Sequence, residues 1–288
     1  MSQPSRAVTL VSCGVLFNEQ GQCLISSRPE GKVYAGWWEF PGGKMEFGET
    51  PHAALVREMR EELGMKIHAS SPWVTVIHEY PHACVKLHFL RCWDYSCEPR
   101  SLEHQSFGFF DLDKWPEPML PATKPLARWL ALPKHWMRLE SDKETILNAL
   151  EAQDGRQFDA VMLGVKNASE IDFWRSELER FGVKSFWVSA KCSEELQKQA
   201  DGVYLEEVED LPLAMHENIA GPAEPQAWDA YEQAGVLFAW APEFVRVGSS
   251  AWERLLMENP LPIYLSNVRI DNEKHLRPHG AHGWIEKI

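Results

Sequence analysis

No apolar run in this sequence approaches the roughly 18 residues that a membrane helix needs, so no membrane partner is expected. The opening residues, MSQPSRAVTLVS, lack both a basic lead and a long apolar core, so no signal peptide is expected either. Cysteine is scarce: six residues (13, 23, 84, 92, 97 and 192), none in a CxxC pair. That spacing argues against zinc and against a disulfide scaffold, and fits reduced thiols in a cytoplasm. Low-complexity sequence is absent. With 44% hydrophobic and 25% charged residues, disorder, collagen and coiled coil are excluded. Basic charge is in deficit, 29 Lys and Arg against 42 Asp and Glu, a net charge of -13. Residues 1–132 hold 13 basic and 15 acidic side chains, net -2, which leaves 16 and 27, net -11, for residues 133–288. Binding of a nucleic-acid strand relies on Lys and Arg neutralising phosphates, so a direct nucleic-acid polymer partner is disfavoured. A small anion complexed with a metal remains compatible, because the metal brings positive charge of its own.

A chain of 288 residues has room for one large domain or two ordinary ones. The first half reads as strands around one helix. The β-rich segments 8–17 and 23–28 are joined across a turn at Asn18–Gln22; 73–80 and 84–93 form a second pair across Pro81–His82; 107–112 is a further short strand. Between them lies a helix over 50–64, with Thr50 as cap, Pro51 at its first position and Gly64 as its stop. Leu55, Met59 and Leu63 recur every four residues and give it a core stripe. A second helix, KPLARWLAL, closes this half near Leu132, and LPKHW links onward. The second half has eight β candidates, at 136–140, 160–165, 185–190, 202–205, 213–217, 236–241, 262–266 and 282–286, most of them separated by amphipathic segments. Repeated β-α units imply a parallel sheet, and eight imply a closed barrel. The span is short for a barrel of ~200 residues or more, so thin helices are expected.

The richest chemical site is Arg57-Glu58-Met59-Arg60-Glu61-Glu62. On a helix Glu58, Glu61 and Glu62, at i, i+3 and i+4, share one face. Clustered carboxylates repel unless a cation compensates them, and hard oxygen ligands at this density suit Mg²⁺ or Mn²⁺. Taken alone, the segment reads first as a solvated acidic face paired with Arg57 and Arg60. Its surroundings decide. From Gly43 the chain fits G-x5-E-x7-R-E-U-x-E-E-x-G-U (U aliphatic) at every fixed position, through Glu49, Arg57, Glu58, Glu61, Glu62 and Gly64.

This stretch resembles the Nudix hydrolases. The family implies an α/β/α sandwich with mixed sheets over residues 1–132 and hydrolysis of a nucleoside diphosphate linked to another moiety. The resemblance makes Glu58 and Glu62 the principal metal ligands, with Glu61 assisting and the Gly42 carbonyl completing the set. It gives Arg57 the orienting of these glutamates, and Glu49 the bracing of the loop. A carboxylate from outside the helix is often the base or an extra ligand, and Glu103 is the candidate. SSRPEGKVYAGWWEFPGGKMEFGET is similar to the approach to this helix in MutT-type 8-oxo-dGTP diphosphatases and in related nucleoside triphosphate pyrophosphohydrolases. By that similarity Arg28 contacts phosphates, Phe40 lies beside the base, and Glu39, Pro41, Gly42, Gly43 and Lys44 line the pocket. Trp37 and Trp38 are candidate walls, since aromatic rings stack on bases. The implied reaction converts 8-oxo-dGTP to 8-oxo-dGMP and pyrophosphate. Two departures bear on the base: an Asn of the family falls on Thr123 and a His on Val33. Thr offers one rotating hydroxyl where Asn offers a fixed donor and acceptor, which opens the alternative of another nucleotide or a thiamine-pathway pyrophosphate.

Residues 133–288 resemble thiamine-phosphate synthase and its TenI-type relatives, through DGVYLEEVEDLP, LPIYLSNVRIDNEKHLRPHGAHGWIEKI, FDAVMLGVKN and HENIAGPAEPQAWDAYEQAGVLFAWAPEF. A short or degenerate (β/α)8 TIM-type barrel follows. The synthase's Arg falls on Gly164, although Lys166 is kept; its metal-binding Asp falls on Ala190, and its phosphate-cupping Gly-Gly on Ser266-Asn267. The barrel is therefore expected to be catalytically silent, a scaffold or a metabolite-binding module. His216, His275, His279 and His282 read as scattered loop and core residues. Thirteen Trp hint at an interface and leave room for a homodimer.

Overall fold

The computed structural model describes residues 7–140, 142–152, 158–165, 168–241, 249–266 and 279–287. The chain forms two compact units, the first built mainly from residues up to Leu132 and the second mainly from Pro133 onward.

The first unit opens with β1 (Val8–Leu16) and β2 (Cys23–Ser27). Asn18 caps the turn between them: its backbone N–H donates to Gln22 O at 3.0 Å, and its side-chain oxygen accepts from the N–H of Gln20 and Gln22. The two strands then part. Parallel β6 (Ala83–Ser96) takes one edge of β1 and antiparallel β4 (Gly42–Lys44) takes the other. Apart from one bridge at Phe17–Cys23, β2 pairs instead with β3 (Trp38–Glu39) and β7 (Phe107–Phe110). The result is a mixed sheet, β4-β1-β6-β5, beside a small antiparallel one, β3-β2-β7. The expected pair is β5 (Lys66–Tyr80) with β6, antiparallel and longer than its apolar cores.

Alternation along β1 and β2 divides the core in two. Leu16 and Leu24 pack with Leu55, Met59 and Leu63 of helix α1 (Pro51–Leu63). Cys13, Val15, Cys23 and Ile25 pack with Leu126 and Leu130 of α2 (Lys124–Leu130). This is an α/β/α sandwich. Full burial of each large side chain contributes on the order of 1.5–3 kcal/mol. Thr50 caps α1 by accepting from Ala53 N–H, and Gly64 ends it at φ 65°.

The second unit is a closed barrel of eight parallel strands. They are β8 (His135–Leu139), β9 (Ala160–Leu163), β10 (Ser185–Ser189), β11 (Gly202–Tyr204), β12 (Ile219–Pro222), β13 (Phe238–Trp240), β14 (Ile263–Ser266) and β15 (Gly283–Lys287). The described helices are thin: α3 (Lys143–Glu151), α4 (Ile171–Arg180), α5 (Glu194–Gln199), α6 (Trp228–Ala234) and α7 (Ser250–Glu258). One strand lies elsewhere than expected. Residues 213–217 are not β; Leu213 and Met215 are exposed, and the preceding stretch is a 3-10 turn over Val208–Leu213. The fifth strand is Ile219–Pro222, whose first three residues are buried. The apolar letters of LAMHE mislead because an isolated Leu and Met on a loop carry no period. Inside the barrel, rings from strands that are not all neighbours meet: Trp136 lies 5.2 Å from Trp187 and 5.1 Å from Phe238, and Phe238 lies 4.7 Å from Tyr264. Gly202 and Gly283 make room, since a Cβ at either would overlap Trp187 or Tyr264. Arg138 stacks on Tyr204 and Trp240 beside them and pairs with Glu140. Among the described residues no helix is long and apolar enough to cross a membrane.

Candidate active site

The site is built from the end of β1, β4 and one face of α1. Cys13 pairs with Gly42 across β1 and β4. Gly42 adopts φ 140°, and a Cβ there would overlap the Ser12 carbonyl. A Cβ on Gly43 would overlap the carboxylate of Glu58. Two glycines therefore let the helix carboxylates lie against backbone. Ser12 fastens the helix start to β1 by donating to Pro51 O at 2.7 Å.

Arg57 organises the surrounding charge. Its Nε and one terminal nitrogen grip both oxygens of Glu49, each at 2.9 Å; it also donates to Lys44 O at 2.9 Å, to Glu58 at 2.7 Å and to Glu61 at 3.3 Å. Glu49 further accepts from Glu46 N–H at 2.7 Å. These bonds hold its carboxyl down to about 2. The loop before α1 is thus tied to the helix by one planar fork. Glu62 is buried and accepts from Gly42 N–H at 3.4 Å. Burial, and then the charge of Glu58, push its carboxyl up to about 7.

Glu58, Glu62, Gly42, Gly43, Lys44, Arg28 and Glu39 line one cavity of about 620 Å³. Arg28 donates to both oxygens of Glu39, at 2.7 and 2.8 Å, and through Nε to Val33 O at 2.7 Å. Burial still raises the Glu39 carboxyl against that pairing. Several expected residues fall outside the lining. Glu61 is half-exposed beside Arg57. Glu103 pairs with Lys32 at 3.3 Å, and Lys32 does line the cavity. Phe40 is buried against Phe89 and Trp115 in the core, and the Pro41 carbonyl accepts from Gly14 N–H at 2.9 Å. Trp38 packs edge-on to Phe110, and Trp37 lies against Tyr34. Thr123 is buried, and its hydroxyl donates to Leu120 O at 2.7 Å.

Sequence reasoning passed over Tyr34, Tyr80, His82, Lys32 and Gln105, all of which line the cavity. Gln105 donates to Glu62 O at 3.0 Å and accepts from Ser101 and from Glu103 N–H, which fixes the loop carrying Glu103. Its neighbours in sequence give no sign of this, because the acceptor lies 43 residues away. The aromatic residues had a faint signal in the Pro81–His82 turn.

Among the described residues no three acidic, Cys or His side chains are gathered as a metal cage. The donor set suits a different coordination. Mg²⁺ is held by one or two carboxylates while waters and substrate phosphates supply the remaining oxygens. Glu58 and Glu62 are such a pair, both lining the cavity, with the Glu62 carboxyl raised first by burial and then by the charge of Glu58. In the barrel, His216 accepts from Asn218 N–H and His282 is buried beside Lys134, while Gly164, Ala190 and Ser266 carry no charge. Lys166, Asn267 and His275 lie outside the described residues.

A glycine-walled pair of carboxylates lining the same cavity as Arg28, Lys32 and Lys44 defines a site for handling phosphate. A family model described as "NUDIX domain" matches residues 12–128. An 8-oxo-dGTP diphosphatase of Proteus vulgaris is 38% identical over 79 residues, 27% of this chain and 70% of that protein. One from Haemophilus influenzae is 35% identical over 36% of this chain and 76% of that protein. A CTP pyrophosphohydrolase of Escherichia coli is 32% identical over 38% and 83%. The chain belongs to the Nudix family, and it is a hydrolase that acts on phosphorus-containing anhydrides. Nudix hydrolases generally use divalent metal ions.

Proposed function

We propose that this protein hydrolyses a nucleoside triphosphate, 8-oxo-dGTP first, to the monophosphate and pyrophosphate, with Mg²⁺ and, as a substitute, Mn²⁺. The observation that carries the reading is the pair Glu58 and Glu62 lining one cavity beside Gly42 and Gly43, with Glu58 held by Arg57 and Glu62 by the Gly42 N–H. Glu58, Glu62 and the Gly42 carbonyl would hold the ion, which supplies positive charge to the polyphosphate and orients water. Arg57 would orient Glu58, Arg28 would face the phosphates, and Glu103, paired with Lys32 of the cavity lining, would assist. The names of the relatives above favour 8-oxo-dGTP. Six free thiols suit a cytoplasmic location. A second reading, a different base, is favoured by Thr123, whose hydroxyl is engaged by Leu120. The barrel, by this proposal, begins at residue 133 and serves as a scaffold or metabolite-binding module.

The test is pyrophosphate release with Mg²⁺ from 8-oxo-dGTP, dGTP, CTP and thiamine diphosphate at sub-saturating concentration. We expect kcat/KM for 8-oxo-dGTP to exceed that for dGTP by about tenfold, about 1.4 kcal/mol. Equal rates would favour the second reading. Glu62→Gln is expected to lower the rate by about 100-fold or more, the scale of a positioned carboxylate; full activity in that variant would overturn the proposal.

A further inference from the structure

The cavity that holds the carboxylates is also lined by side chains of β1 and β6, most of them apolar. Parallel pairing of β1 with β6 sets Thr9 beside Val85 and Val11 beside Leu87, and all four line the cavity. Three rings stand at the end of this floor. The Tyr34 ring lies 5.6 Å from Tyr80 and 5.7 Å from His82, and those two are 5.5 Å apart. From Thr9 to Cys13, the partner of Gly42, the strand advances about 13 Å. The floor from Thr9 to the strand position paired with Gly42 therefore has the length scale of a nucleotide's reach from base to phosphates.

Tyr34 is held where a tyrosine is rarely found. Its φ is 62°, a left-handed conformation that costs an L side chain free energy. The surroundings impose it: Arg28 Nε holds the preceding carbonyl of Val33, Ala35 N–H donates to Lys32 O, and Trp37 N–H donates to Tyr34 O. Glycine would make this turn without strain, yet a ring occupies it. Meanwhile Thr123, which falls where the family reads the base, gives its hydroxyl to Leu120.

We infer that Tyr34, backed by Tyr80 and His82, is a substrate-binding residue that stacks on the base and holds it by its face. The inference rests on the nucleotide reading proposed above. A face contact is tolerant of what decorates the ring edge, since every base has a π-face. Tyr34 therefore contributes affinity for aromatic bases in general and does not separate an oxidised purine from its parent.

The experiment is calorimetric titration of the full chain with 8-oxo-dGTP and dGTP analogues in which a methylene joins the α- and β-phosphorus atoms. Pyrophosphate release from the natural substrates is measured in parallel. Tyr34→Ala and Tyr34→Leu should raise Kd and KM for both bases by about tenfold or more. Both should change kcat little, and Tyr34→Phe should retain binding. The ratio between the two bases should stay constant. Thermal melts identify any variant that does not fold, and Tyr34→Leu keeps apolar bulk without a π-face. Unchanged Kd in the folded Tyr34→Leu variant, an equal loss in Tyr34→Phe, or a changed ratio would overturn the inference. If the wild type binds the analogues but releases no pyrophosphate, the proposed reaction fails while the stacking stands. If it binds neither, the stacking wall is refuted.

Discussion

Arg57 makes five contacts to four residues around the cavity, and no lysine can repeat that pattern, because an ammonium lacks the planar fork. Arg57→Lys should lower kcat/KM by about 10- to 100-fold, the usual effect of losing a group that orients ligands. A steady-state assay of the variant checks this. Glu62 makes a separate prediction about pH. In the folded protein its carboxyl keeps its proton up to about 7, whereas the ordinary value is 4.5. Between those limits the folded state binds the extra proton, so stability falls as pH rises. Its favourable contribution is complete below 4.5 and lost above about 7. Denaturation of metal-free wild type and Glu62→Gln across this range should show a steeper loss of stability with rising pH in the wild type than in the variant. At this scale much was legible. The spacing of Glu58 and Glu62 announces a shared helix face, and both line the cavity. Glu61 obeys the same spacing, yet it turns to Arg57 and solvent, because a helix face is wider than a cavity mouth.

Among the elements, α1 was the plainest, since cap, stripe and stop all agree. Its ends carry measurable free energy. Thr50→Ala should cost about 1 kcal/mol through the lost cap. Gly64→Ala should cost about 1–2 kcal/mol through its left-handed conformation. At Gly64 the nearest atom a Cβ would meet is Leu102 Cδ1 at an ordinary 3.6 Å, so the cost there is conformational and not steric. Urea titrations of each variant test both figures. β3 and β4, of two and three residues, were invisible, because an alternation needs more length than that to show. The split of β1 from β2 was hidden too. A turn signal states that two strands are joined, but the partners of β1 come from residues 42–44 and 83–96, beyond any local window.

At the scale of the whole molecule, all six cysteines are free thiols, and only Cys97 is exposed. Burial raises the thiols of Cys13, Cys23 and Cys92, which disfavours the reactive thiolate. Titration with a thiol reagent should give one fast equivalent in the native protein and six after unfolding. Eight strands in a parallel cycle were readable from the rhythm of the second half, since closure needs only their number and order. What fills the cycle was not readable, because Trp136, Trp187, Phe238 and Tyr264 meet across space from four separate segments. Those four rings make the middle of the barrel packed core and not a pipe. Among the described residues, then, the space at the level of those rings is taken up by side chains, so a Trp136→Ala change would open a cavity inside the barrel and not simply widen a channel.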